Sequence, residues 1–168
     1  SDMMKFALTF HGPVAIRYPR GEAYGGLKEY RSPVEMGKAE LLFAEGEICL
    51  MAVGSMVKTA QEVKARLNQE GYKCSVINAR FVKPVDLRAI KWACENHRLV
   101  VSMEENVASG GYGEKVRRAM DEIDTKAGFL QIAIPDEYVE HGNVEQLKQE
   151  IGIDAGTIAE KIKKEMGS

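Results

Sequence analysis

ICLMAVGSMVKTAQEVKARLNQEGYKCSVIN, residues 48–78, is the stretch that decides the fold. Its first part, ICLMAVG (48–54), is almost continuously apolar and ends in glycine, as a strand buried on both faces of a parallel sheet does. Ser55 stands at a helix-cap position, and Val57, Ala60, Val63, Ala65 and Leu67 then form a helical stripe that runs to about Glu70. Glu62 and Arg66 are spaced as an i,i+4 pair, and Gly71 is a stop signal. CSVINARFV (74–82) returns to strand character. Strand, helix and strand within some thirty residues make a βαβ unit, because parallel strands need a crossover of that length.

The same alternation continues outward. KPVD leads into a helix capped by Asp86 and reaching about Asn96, and RLVVSMEEN (98–106) is a third buried strand with an acidic end. GGYG (110–113) opens a helix to about Glu122, FLQIAIP (129–135) is a further strand, and helices over 143–151 and 155–166 carry Asn143 and Asp154 as caps. Upstream, residues 13–18 read as a first strand, and EAYGGLKEYRSPVEMGKAELLFAEGE (22–47) as a loop with short extended pieces. Met3, Met4, Phe6, Ala7 and Phe10 have helical spacing, and residues 1–11 read as the tail of a preceding helix or a linker. The expectation is a single α/β domain over 1–168: three layers, α/β/α, around a mostly parallel sheet of about five strands.

Composition narrows the function. The chain has 168 residues, is 45% hydrophobic and 29% charged, and carries a net charge of −2, so no basic field draws it to nucleic acid or an anionic membrane. No apolar run approaches the roughly 18 residues of a membrane span. The opening residues lack the basic leader and cleavage pattern of a secretory signal. Cys49, Cys74 and Cys94 are odd in number and have no metal-ligand or CxxC spacing, as reduced thiols of a cytoplasmic protein would.

Open α/β sheets gather ligands at the carboxyl ends of their strands, which selects Arg17–Gly21, Gly54-Ser55, Arg80–Pro84, Glu104–Asn106 and Asp136–Gly142. Arg20, between Pro19 and Gly21, offers a planar fork suited to phosphate or carboxylate, or alternatively pairs with a structural carboxylate. Arg17 reads as half of a structural ion pair. GGYGEK follows a strand and opens a helix but satisfies neither GxGxxG nor the P-loop pattern, so a tight turn is the expectation. Glu104 and Glu105 are adjacent in a strand and must point to opposite faces, which excludes a carboxylate dyad. His141 reads as a turn residue, and His11 and His97 lie at element ends. No nucleophile–base–orienter set assembles, and no catalytic, cofactor or metal residue is assigned within the chain.

Four segments together carry a resemblance: GPVAIRYPRG, NARFVKPVD, MEENVASGGYG and IPDEYVEHG. In this order and spacing they resemble the C-terminal domain of the 1-deoxy-D-xylulose-5-phosphate synthase family, within the transketolase superfamily. The resemblance covers the chain from about residue 12 to its end. It implies a cytoplasmic, homodimeric thiamine-diphosphate transferase that joins a two-carbon unit from pyruvate to D-glyceraldehyde 3-phosphate, with loss of CO2, for isoprenoid and thiamine biosynthesis. It further implies that Arg20, the second arginine of the YPRG motif, contacts the acceptor's phosphate. The family's GDG…N motif for Mg²⁺ and diphosphate, and its activating glutamate, belong to preceding domains; this chain contains no GDG, and it is expected to be inert alone. The competing readings are the C-terminal domain of a transketolase or of a 2-oxo acid dehydrogenase β subunit, and a stand-alone docking subunit of a split enzyme.

Overall fold

The computed structural model describes residues 2–18, 24–30 and 32–167. In chain order these form α1 (Asp2–Thr9), β1 (Glu40–Phe43), β2 (Ile48–Ala52), α2 (Met56–Gln69), β3 (Cys74–Asn78) and α3 (Leu87–Asn96). There follow β4 (Leu99–Val107), α4 (Tyr112–Ile123), β5 (Gly128–Ile134), α5 (Val144–Glu150) and α6 (Ala155–Met166).

Among the described residues five strands make one sheet in the order β1-β3-β2-β4-β5, with β1 antiparallel and every other pair parallel. The expected three-layer α/β architecture is therefore present. Strand alternation divides the interior in two. Ile48, Leu50, Ala52, Val76, Val101 and Met103 face α2 and α6, while Cys49, Met51, Ile77 and Val100 face α3 and α4. β2 sits at the centre and is buried along its whole length, which is why its sequence shows no polar alternation. The three thiols are free and buried, and burial pushes that of Cys74 up to about 12.

Two expectations change. Residues 13–18 form no strand: among the described residues they make no backbone ladder with the sheet, and an apolar run becomes a strand only where a sheet edge receives it. Their apolar residues lie at the surface instead, Val14 40% and Tyr18 82% exposed. The extra strand comes from the stretch read as loop: ELLF pairs antiparallel with β3, its short BeBi burial pattern typical of an edge. On α2, Glu62 pairs with Lys58 on the preceding turn, not with Arg66.

Asp86, Asn143 and Asp154 cap α3, α5 and α6 through their side-chain oxygens, as expected. α2 begins at the carboxyl end of the sheet and finishes at the amino end, where Glu70 receives Lys163 from the last turn of α6 at 2.8 Å.

His97 lies at that amino end, 8% exposed. The Ala93 carbonyl, 2.9 Å from Nδ1, can only accept, so Nδ1 carries the proton and Nε2 faces the Ser75 hydroxyl at 2.7 Å. Burial pulls the His97 pKa down, and the Ala93 bond only partly opposes this. The unfolded chain then takes up a proton near about pH 6.5 while the folded chain resists it, so stability is full above that pH and falls as pH drops towards the folded value. Urea unfolding at about pH 7.5 and 5.5 is expected to show this loss, and His97→Gln to remove most of it. An unchanged slope in the variant would assign the effect to other groups.

Candidate functional site

The parallel strands all end on one side of the sheet, and the N-terminal part of the chain crosses that side. Phe6 of α1 stacks on Phe10 at 5.4 Å and meets the edge of Phe81, just beyond β3, at 5.5 Å. Residues 13–18 then reach the end of β4. There Arg17 donates from Nη2 to the Glu105 carbonyl at 2.8 Å and from Nη1 to Asn106 Oδ1 at 3.3 Å. These bonds stand where an ion pair was expected. Farther along, the Tyr24 hydroxyl donates to Gln61 Oε1 on α2 at 2.8 Å, and Leu27 and Tyr30 pack against the α2/α6 core. Arg20 lies outside the described residues, between these two anchored points in the sequence.

Glu104 and Glu105 point to opposite faces, as strand geometry requires. Glu105 turns towards α2 and α5: Lys148 sits 2.6 Å from Oε1, and the Ser55 hydroxyl donates to Oε2 at 2.5 Å. Burial alone would push this carboxyl up, but the bonds from Lys148 and Ser55 and the charges of Lys148 and Arg17 hold it below the usual carboxylate range. Ser55 occupies the cap position of α2 but makes no side-chain cap bond. Its backbone is already helical, with φ −58° and ψ −28°, whereas a capping residue is extended so that its oxygen can accept from the amides ahead; the hydroxyl donates instead to Glu105.

Glu104 turns the other way and is 3% exposed. Its Oε2 accepts from the Tyr112 amide at 2.7 Å and its Oε1 from the Gly113 amide at 2.8 Å, with Gln131 Nε2 at 3.4 Å. The helix opening that the GGYG sequence offers to an anion is thus filled by the protein's own carboxylate. The glycines permit this closeness: a Cβ on Gly111 would stand 2.6 Å from the Glu104 oxygens, and one on Gly113 2.5 Å from Ser102 Oγ. Glu104→Ala removes the acceptor of two buried amides and is expected to cost about 2–4 kcal/mol in urea unfolding. Glu104→Gln, which retains one good acceptor, should recover part of that. A loss under about 1 kcal/mol for the alanine variant would show that the amides find other partners.

Arg80 and Glu40 form a buried ion pair at the same end, with side chains 9% and 4% exposed and a separation of 2.5 Å. Arg80 also donates to the carbonyls of Pro33 and Ser32 at 3.1 Å each, and Glu40 Oε1 accepts from the Ser32 amide at 2.9 Å. Arg80 is therefore a structural tie and not a ligand group. Asp136, Glu137, His141 and Gly142 lie on an exposed loop and His11 is exposed, while His97 is at the opposite end of the sheet. Sequence reading missed Lys148, Gln61 and Glu40, since their partners are 43, 37 and 40 residues away in the chain and follow no periodicity. Among the described residues no group of three or more His, Cys, Asp or Glu could hold a metal ion, and no helix is long and apolar enough to cross a membrane.

A short sheet with β2 to β5 parallel and helices on both faces sets the class: the chain belongs to the family described as transketolase, C-terminal domain, whose model matches residues 37–158. It is 42% identical over 98% of its length to 1-deoxy-D-xylulose-5-phosphate synthase of Lachnoclostridium phytofermentans, and 40% identical over 94% to the synthase of Heliobacterium modesticaldum. It spans 27% and 24% of those two proteins, about a quarter of each. The resemblance carried by the four sequence motifs is borne out. Among solved structures, a split-gene transketolase described as an inactive beta4 tetramer matches 97% of this chain and 53% of its own with a TM-score of 0.87. At 24% identity that match is a likeness of fold.

Proposed function

We propose that this chain is the C-terminal part of a thiamine-diphosphate-dependent synthase that condenses pyruvate with D-glyceraldehyde 3-phosphate. The product is 1-deoxy-D-xylulose 5-phosphate, with release of CO2, in the supply of isoprenoid and thiamine precursors. The observation that carries this reading is 42% identity to such a synthase over nearly the whole chain. In this role the chain supplies Arg20 to the acceptor's phosphate and packs against the preceding domains and a second subunit of a cytoplasmic homodimer. Thiamine diphosphate and Mg²⁺ are held by those preceding domains and supply the electron sink for decarboxylation. What this chain contributes is orientation: a phosphate held away from the reacting carbon still fixes the direction in which the aldehyde is presented.

The test compares two proteins in an assay with pyruvate, D-glyceraldehyde 3-phosphate, Mg²⁺ and thiamine diphosphate. The chain alone is expected to form no product, and the protein joined to its preceding domains to form it. Product from the chain alone, or a full-length protein inactive towards these two substrates, would overturn the reading.

A further inference from the structure

We infer that the outer edge of β5 is an interface between two copies of this chain, paired antiparallel about a two-fold axis at Gln131. The two edges of the sheet are built differently. β1 is blunted: it has four residues, its register with β3 shifts between Leu41 and Phe43, and it carries the buried charge of Glu40. β5 is left bare. It runs for seven residues, GFLQIAI, without a charge or a proline, and among the described residues it is hydrogen-bonded to β4 alone. The slip in that pairing places its extra residues on β4, so β5 itself is unbroken.

The ladder fixes which atoms are left over. The Gly128 amide donates to the Arg98 carbonyl and the Ile134 carbonyl accepts from the Ala108 amide, so the even-numbered residues bond to β4. The amides and carbonyls of Phe129, Gln131 and Ala133 therefore point outward. An antiparallel copy must bond through these same residues, and centring on Gln131 pairs the whole strand. Phe129 then meets Ala133, Leu130 meets Ile132 and Gly128 meets Ile134. Large side chains face small ones towards both ends, and no charge meets its like. The flanking residues point to a second copy as the occupant. The same register sets Lys126 against Asp136 of the second copy, and symmetry repeats this at the other end. Both residues are exposed, and neither is paired within the chain. This contact depends on the sheet edge and not on the reaction proposed above, so association and product formation fail separately.

Sedimentation equilibrium of the chain is expected to show a dimer. Ala133→Pro removes an outward donor but spares the β4 ladder, since proline is tolerated where an edge N–H faces solvent. It should give a monomer with the circular dichroism of the parent. Lys126→Glu should raise the dissociation constant about tenfold, because the axis doubles each lost contact. Lys126→Glu/Asp136→Lys, which restores opposite charges, should return it close to the parent value. A dimer that the proline and charge variants leave unchanged lies on another face and overturns the pairing. So does a chain that stays monomeric to about 1 mM; β5 amides protected from exchange only when the preceding domains are joined would then assign the edge to those domains. Should Ala133→Pro fail to fold, the exposed charge pair decides: weakening in the single variant and recovery in the double upholds the interface, and no change overturns it.

Discussion

Replacing Glu40 by alanine should destabilise the domain by about 3–5 kcal/mol, the range found when one member of a buried ion pair is removed. The loss has two parts. Arg80 is left charged in a site where it is 9% exposed, with only the carbonyls of Ser32 and Pro33 to solvate it. The Ser32 amide also loses its acceptor. Against the 5–15 kcal/mol that holds a typical domain together, this is a large fraction. Urea unfolding of Glu40→Ala, Arg80→Met and the double variant Glu40→Leu/Arg80→Met would measure it. Both single variants are expected to fall sharply in midpoint, and the double variant to recover most of the loss, since an apolar pair of similar volume carries no desolvation cost. Single variants within about 1 kcal/mol of the parent would show that water reaches the pair and that it does not fasten the 32–34 loop to β1 and β3.

The second large effect is on chemistry. In the full-length protein, Arg20→Ala is expected to lower kcat/KM for D-glyceraldehyde 3-phosphate by about 2–4 kcal/mol, roughly 30- to 700-fold, mainly through KM. A guanidinium that meets the acceptor's phosphate makes the same contact before and during carbon–carbon bond formation. Its loss therefore weakens binding more than turnover. Pyruvate KM should be unaffected, because that substrate carries no phosphate. Steady-state kinetics with each substrate varied in turn separate these quantities. Unchanged kinetics with the aldehyde phosphate would remove Arg20 from the site.

Much of this fold was legible because its signals are local. The buried strands β2 and β4 declare themselves as apolar runs, and Asp86, Asn143 and Asp154 sit where a cap must, each accepting from the amides two and three residues ahead. The errors share a cause too. GPVAIRY has the apolar, extended look of a strand, but a strand needs a partner, and whether an edge is open to receive it is a property of the whole sheet. ELLF reads as one of the short extended pieces of a loop because four residues carry too little periodicity to declare a strand. Ser55 illustrates the same limit at the level of one atom. Its position predicts a cap, yet its backbone is already helical, unlike the extended residue that turns its oxygen to the amides ahead, and its hydroxyl donates instead to Glu105, fifty residues on. Within the site, the opposed directions of Glu104 and Glu105 followed from strand geometry alone. What they bind did not, since Lys148 and the α4 amides reach them only through the tertiary fold.

The course of α2 and α6 has a practical outcome for handling the protein. α6 finishes beside Glu70, at the amino end of the strands, while α1 lies against Phe81 at the carboxyl end. The two described extremities, Asp2 and Gly167, therefore stand at opposite poles of the sheet. A fluorophore or surface tether placed after Met166 would keep clear of Arg17, Glu105 and Lys148 and leave their end of the molecule facing solution. The same label on α1 would sit over the strand ends and obstruct whatever docks there.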